Sequence, residues 1–217
     1  MLPSGATIPE PERLVGAFFT EEWAYYDGID DADPDRIQPV DIVATLSVNS
    51  FLTSATRIRS VHRGFAAGCE SHLAQIPVDA DLRTFPLDPV ADLLNAACQV
   101  PYVLVPVATK VLHRKRRSLI PMLDTVVSNY YLDSLARPDL RAATQDKKRA
   151  AAVALVPLEG FRIDLVSAWP ELTELRDGLG RSGFPVTQLR ILEVLVWMWA
   201  DPLRQYVKLL NGEGHEN

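Results

Sequence analysis

The stretch Lys110–Tyr131, KVLHRKRRSLIPMLDTVVSNYY, joins an apolar segment to five consecutive side chains able to carry positive charge, then to a segment opened by Pro121. Val103, Val107, Lys110 and Val111 fall along one side of a helix over Val103–His113, with Leu104, Ala108 and Leu112 beside them. His113, Arg114, Lys115, Arg116 and Arg117 close that helix, where cations meet the negative end of the macrodipole. Pro121 suits the first position of a second helix, because its missing N–H would be unpaired there anyway. That start puts Asp124 in the first turn, where the positive dipole end favours an ionised carboxylate. Met122, Val126 and Val127 then carry the second helix into the core. The stretch therefore predicts a helix, a basic corner that is the most positive surface of the protein, and a second helix with a carboxylate near its start.

The pattern VATKVL, basic turn, IPMLDTVV resembles the helix-hairpin-helix DNA glycosylase superfamily over about thirty residues. On that comparison Ala108, Val111 and Leu112 fall on the post-hairpin helix and Asp124 falls on the catalytic Asp, which implies a related helical fold. Val105-Pro106-Val107 stands where those enzymes carry a glycine-rich hairpin, and Pro supplies no amide for a phosphate. The position of the Schiff-base lysine of bifunctional members holds no lysine; Lys110 lies a turn later. Over most of its length the chain resembles an uncharacterised, mostly actinobacterial family of unknown function, on KVLHRKRRSLIPMLD, DIVATLSVN and LRILEVLVWM.

The 217 residues suffice for one domain with a real core, and the apolar fraction of 47% is ordinary for a globular protein. A net charge of −6 argues against a general nucleic-acid binder, but the charge is uneven, acidic up to Asp41 and basic over Lys110–Arg117. Residues 1–39 read as an N-terminal arm with an acidic loop, its first dozen residues mobile, and 40–217 as the helical domain. Phe18, Phe19, Trp23, Tyr25 and Tyr26 give the arm aromatic surface to dock on that domain. The acidic loop holds Asp27, Asp30, Asp31, Asp33 and Asp35; it lacks the spacing and closing Glu of a calcium loop, so a solvated turn is favoured over a cation site. Cys69 and Cys98 lack CxxC spacing and read as buried small side chains or free thiols. No metal site and no cofactor is expected, His62 and His72 being ten residues apart.

The remainder is helical throughout. Helices are expected over Val40–Leu52 and Thr53–Ala74, from Asp88-Pro89 to Ala97, over Arg141–Val156, Phe161–Ala168 and Pro170–Leu179, and from Asp201-Pro202 to Asn211. Thr187–Ala200 is apolar on nearly every face, so it is placed at the centre of the fold or in a homo-oligomer interface. Its Trp197 and Trp199 are read as core. No period-two alternation, nucleotide-binding motif or membrane-length apolar run occurs, and no signal peptide is visible. The fold class is all-α and the expected location cytoplasmic.

Three functions compete. The first candidate is a protein with a glycosylase-like architecture that binds nucleic acid or another anionic partner through Lys110, His113, Arg114, Lys115, Arg116 and Arg117. The second is a glycosylase-like enzyme, in which the Asp124 carboxylate stabilises a cationic sugar. The third is a protein-interaction or biosynthetic accessory role in which the basic run is only a solvated face and Asp124 only a helix cap.

Overall fold

A computed structural model describes residues 1–20, 25–29, 33–48, 50, 52–146, 148–181, 183 and 186–201. Among them the chain forms α1 (Pro11–Thr20), α2 (Tyr25–Gly28), α3 (Pro39–Ala44), α4 (Ala55–Gly68), α5 (Glu70–Leu73), α6 (Asp88–Gln99), α7 (Val105–Lys115), α8 (Thr125–Ser134), α9 (Ala150–Ser167), α10 (Trp169–Arg181) and α11 (Gln188–Ala200). No strand occurs among the described residues, so the all-α class holds. Trp23, Asp30, Asp31, Lys147 and the helix expected after Asp201 lie outside the described residues.

Thr187 starts α11: its hydroxyl accepts the amide of Arg190 at 3.2 Å and donates to the carbonyl of Arg117 at 3.0 Å. From there Leu189, Ile191, Leu192, Val194, Leu195, Val196 and Met198 are all buried. The same core takes in Leu14, Phe18 and Phe19 of α1, Val61 and Phe65 of α4, Leu93 and Leu94 of α6, Val111 and Leu112 of α7, and Leu158 and Phe161 of α9. The apolar girth of α11 is thus consumed by the chain's own core, without a second copy. Trp197 at its end is half-buried and packs against that core, and Trp199 is half-buried.

Two helices expected around Pro157 are one. Helix α9 runs through that proline, whose buried ring replaces a single intrahelical N–H in an alanine-rich, all-round apolar segment. It packs on α6 and α8. Contact with α8 is close because residue 160 is glycine: a Cβ there would lie 2.7 Å from Tyr131 Cδ1 and 3.0 Å from Leu135 Cδ1. Gly160→Ala is expected to destabilise the fold by about 1–3 kcal/mol through overpacking, read as a lowered urea midpoint with an unchanged slope.

The first residues, expected to be mobile, are docked. The amide of Ser4 donates to Asp164 Oδ1 at 2.9 Å, and Tyr131 donates to Asp164 Oδ2 at 3.0 Å. Asp164 is wholly buried, so these donors satisfy a carboxylate that would otherwise be costly. That need anchors the arm.

Candidate functional site

Helix α7 ends at Lys115, and Arg116 leaves it with φ −138° and ψ 67°. The expected second helix does not begin at Pro121. Residues 120–123 instead form a buried passage outside any helix, in which the Met122 amide donates to Glu193 Oε2 at 2.9 Å and the Leu123 amide to Thr109 Oγ1 at 3.0 Å. With those amides already paired to side chains, α8 waits until Thr125. Asp124 becomes its N-cap, Oδ1 accepting the Val127 amide at 2.9 Å.

The basic run does not form a surface corner. Lys110, His113, Arg114, Lys115 and Arg116 are buried, and Arg117 is half-buried. Arg114 Nε donates to Asp41 Oδ1 at 2.9 Å, and Lys115 Nζ lies 2.8 Å from Asp41 Oδ2. Arg116 donates to Asp35 Oδ1 at 2.8 Å and to the carbonyls of Leu73, Ile76 and Pro34 at 2.7, 2.8 and 2.8 Å. Lys115 also donates to the carbonyl of Asp33 at 2.9 Å. Asp35 of the acidic loop and Asp41 of α3 thus take up Arg114, Lys115 and Arg116, a clasp between the acidic and the basic stretches of the chain. The expectation of a strongly positive surface is corrected on this point: unpaired burial of such charges is prohibitive, and the pairing carboxylates come from residues 35 and 41.

His113 serves the same closure. Its Nδ1 donates to the carbonyl of Ile120 at 2.7 Å, and burial brings its pKa down to about 3, so it is neutral. Asp27 of the acidic loop pairs with Arg190 of α11 at 2.9 Å. Arg190 also bonds Glu193 one turn on, and burial raises the Glu193 carboxyl to about 7 against the pull of that arginine.

Lys110 is the exception in the run. Its ammonium donates to the carbonyl of Val48 and makes no ion pair among the described residues. With Asp124 it lines two adjoining hollows, one of about 90 Å³ and one of about 520 Å³. The smaller is floored by Arg190 and Glu193 and walled by Phe18 and Trp197. The larger has apolar walls from Leu52, Leu104, Pro106 and Val107, with Arg57 and Tyr102 among its lining residues. Burial lowers the Lys110 pKa and raises that of Asp124, while the charge of each draws the other back. A mostly apolar hollow with a few convergent ionisable groups has the form of a small-ligand site.

Sequence reading singled out Lys110 and Asp124, and the fold brings these two together on one cleft. The remaining basic candidates are directed into the clasp or stand half-buried beside it. Arg190, Glu193, Arg57 and Tyr102 went unremarked as site residues. Arg190 and Glu193 had a legible signal, two opposite charges three apart in an otherwise apolar helix. Among the described residues no group of His, Cys, Asp and Glu is placed to hold a metal ion, and no helix is long and apolar enough to cross a membrane.

These features define an all-helical protein in which a lysine and a carboxylate line one cleft. The chain belongs to a family of unknown function (DUF6308), whose model matches residues 12–200. No curated protein and no solved structure matches it.

Proposed function

We propose that this chain is a cleft enzyme that breaks an N-glycosidic bond, with Asp124 as the working carboxylate. The observation that carries this reading is the position of Asp124, which caps α8 and, with Lys110, lines both hollows of the cleft. The resemblance of Ala108, Val111, Leu112 and Asp124 to the helix-hairpin-helix glycosylases supports the choice of bond. As the bond between sugar and base breaks, its electron pair leaves with the base nitrogen and positive charge builds on the sugar. An ionised Asp124 beside that sugar lowers the barrier electrostatically. Lys110 and the Val127 amide favour the ionised form against burial. Water then adds to the sugar carbon and gives up a proton to the Asp124 carboxylate, which returns it to solvent. The leaving base takes up a proton from solvent at the larger hollow, whose rim carries the exposed Tyr102.

Binding of nucleic acid through the run from Lys110 to Arg117 is the less supported reading, because its cations are taken up by Asp35, Asp41 and main-chain carbonyls. The test is base release from damaged and undamaged oligonucleotides and from free nucleosides and nucleotides, by the wild type and Asp124→Asn. Release that falls by at least about a hundredfold in Asp124→Asn is expected, with stability little changed because Asn caps a helix about as well as Asp. No release by the wild type across the panel defeats the enzymatic reading.

A further inference from the structure

We propose that Arg57 and Tyr102 make the larger hollow a subsite for a single phosphate-bearing nucleoside, so that the ligand is a mononucleotide rather than a nucleic-acid strand. This rests on the glycosidic reading for the identity of the bond, but not for the binding itself.

Three observations on separate elements converge. Arg57 lies on α4 and lines the 520 Å³ hollow. Its guanidinium makes no ion pair among the described residues, and it stands 5.3 Å from the centre of the Tyr102 ring. Of the other cations lining the cleft, Arg190 is held by Asp27 and Glu193, and Lys110 donates to the carbonyl of Val48. Arg57 is therefore available for an anion, and guanidinium suits phosphate by its fork of donors.

Tyr102 is the second observation. It is 59% exposed and holds φ at +67°, in the left-handed region that a bulky side chain rarely adopts. It sits in the turn between α6 and α7, where a glycine would be at ease. A strained backbone that keeps an aromatic ring exposed beside a cavity has a physical use if that ring supports a flat ligand. A nucleobase is such a ligand, and stacking on an aromatic face serves every base.

The third is that Lys110 and Asp124 line this same hollow, together with its apolar walls. A ligand with its phosphate at Arg57 and its base against Tyr102 presents its sugar inward, toward the carboxylate. The volume of about 520 Å³ falls in the range of small-molecule sites. An extended strand needs a track of unpaired cations for successive phosphates. The run that would have supplied it, Arg114 to Arg116, is turned inward.

Binding is read by calorimetry with the four 5′-mononucleotides, the corresponding nucleosides and a twelve-residue single strand. The proteins are the wild type, Asp124→Asn, Asp124→Asn with Arg57→Ala, and Asp124→Asn with Tyr102→Gly. In Asp124→Asn, at least one mononucleotide is expected to bind about tenfold tighter than its nucleoside, the scale of one charge-assisted hydrogen bond. Adding Arg57→Ala should abolish that preference and leave nucleoside binding unchanged. Adding Tyr102→Gly should weaken nucleotide and nucleoside alike yet raise the melting temperature, because it relieves the positive φ; a merely structural tyrosine would not pair those two effects. Equal affinity for nucleotide and nucleoside, a preference that survives Arg57→Ala, no binding at millimolar concentration, or tighter binding of the strand each overturns the proposal. A chain that binds a mononucleotide in this pattern but releases no base fails the catalytic reading alone. Base release with no preference for the phosphate fails this one alone.

Discussion

Asp41→Ala is expected to destabilise the protein by about 3–5 kcal/mol, the loss that follows when one partner of a buried ion pair is removed. Asp41 is wholly buried and accepts Arg114 Nε at 2.9 Å through one oxygen, with Lys115 Nζ 2.8 Å from the other. That second oxygen also accepts the Gln38 amide at 2.7 Å, closing the start of α3. Removing the carboxylate takes a shared counter-charge from two cations whose side chains are 1% and 0% exposed. Against a total stability of roughly 5–15 kcal/mol for a domain, the loss is large enough to bring the melting transition close to room temperature. Replacing all three partners together, Asp41→Leu with Arg114→Met and Lys115→Met, is expected to recover most of it, since an apolar set of similar volume needs no desolvation of charge. Urea titrations of the two variants decide the matter. A single-variant loss below about 1 kcal/mol, the range of exposed pairs, would mean that water reaches the clasp.

The same clasp marks how far the sequence could be read. Helical class was legible because α4, α6 and α11 carry their start signals and apolar spacing within their own residues. Even the α7 helix and the carboxylate at the start of α8 were visible locally. The direction in which Arg114, Lys115 and Arg116 point was not. Their partners lie 73 residues away at Asp41 and 81 away at Asp35, and nothing in a run of cations says that distant carboxylates will meet it. Nor did the spacing reveal that amides after Pro121 would be held by Thr109 and Glu193, which moved Asp124 from the first turn to the cap. The break expected between Val156 and Phe161 is absent for a related reason: the cost of Pro157 inside a helix is overridden where α9 packs against α6 and α8. The cleft escaped notice for the most part because Arg57, Tyr102, Lys110 and Asp124 are joined only by the fold.

Acid stability is expected to divide between His113 and Glu193, which titrate in opposite senses. Burial brings His113 from 6.5 down to about 3 and takes Glu193 from 4.5 up to about 7. Between pH 6.5 and 3 the unfolded chain binds a proton at His113 that the folded chain does not, so stability from this residue is present above 6.5 and lost as pH falls through 3. For Glu193 the folded chain holds a proton that the unfolded chain releases, so its contribution is complete below pH 4.5 and lost as pH rises through 7. From 6.5 to 4.5 the two proton counts cancel, with Asp124 raised in the same sense as Glu193 and adding to its side. Each is worth about 1.4 kcal/mol per pH unit over its window. His113→Asn keeps a donor for the Ile120 carbonyl, and its stability difference from the wild type is expected to shift by roughly 5 kcal/mol between pH 6.5 and 3. Glu193→Gln should shift by roughly 3 kcal/mol in the opposite direction between pH 7 and 4.5. In practice the Glu193→Gln protein begins to weaken near pH 6.5 as the solution is acidified, whereas the wild type holds level until about 4.5. Urea midpoints measured across that range check both shifts. A Glu193→Gln profile parallel to the wild type would show that Arg190 and the Met122 amide keep the glutamate ionised throughout.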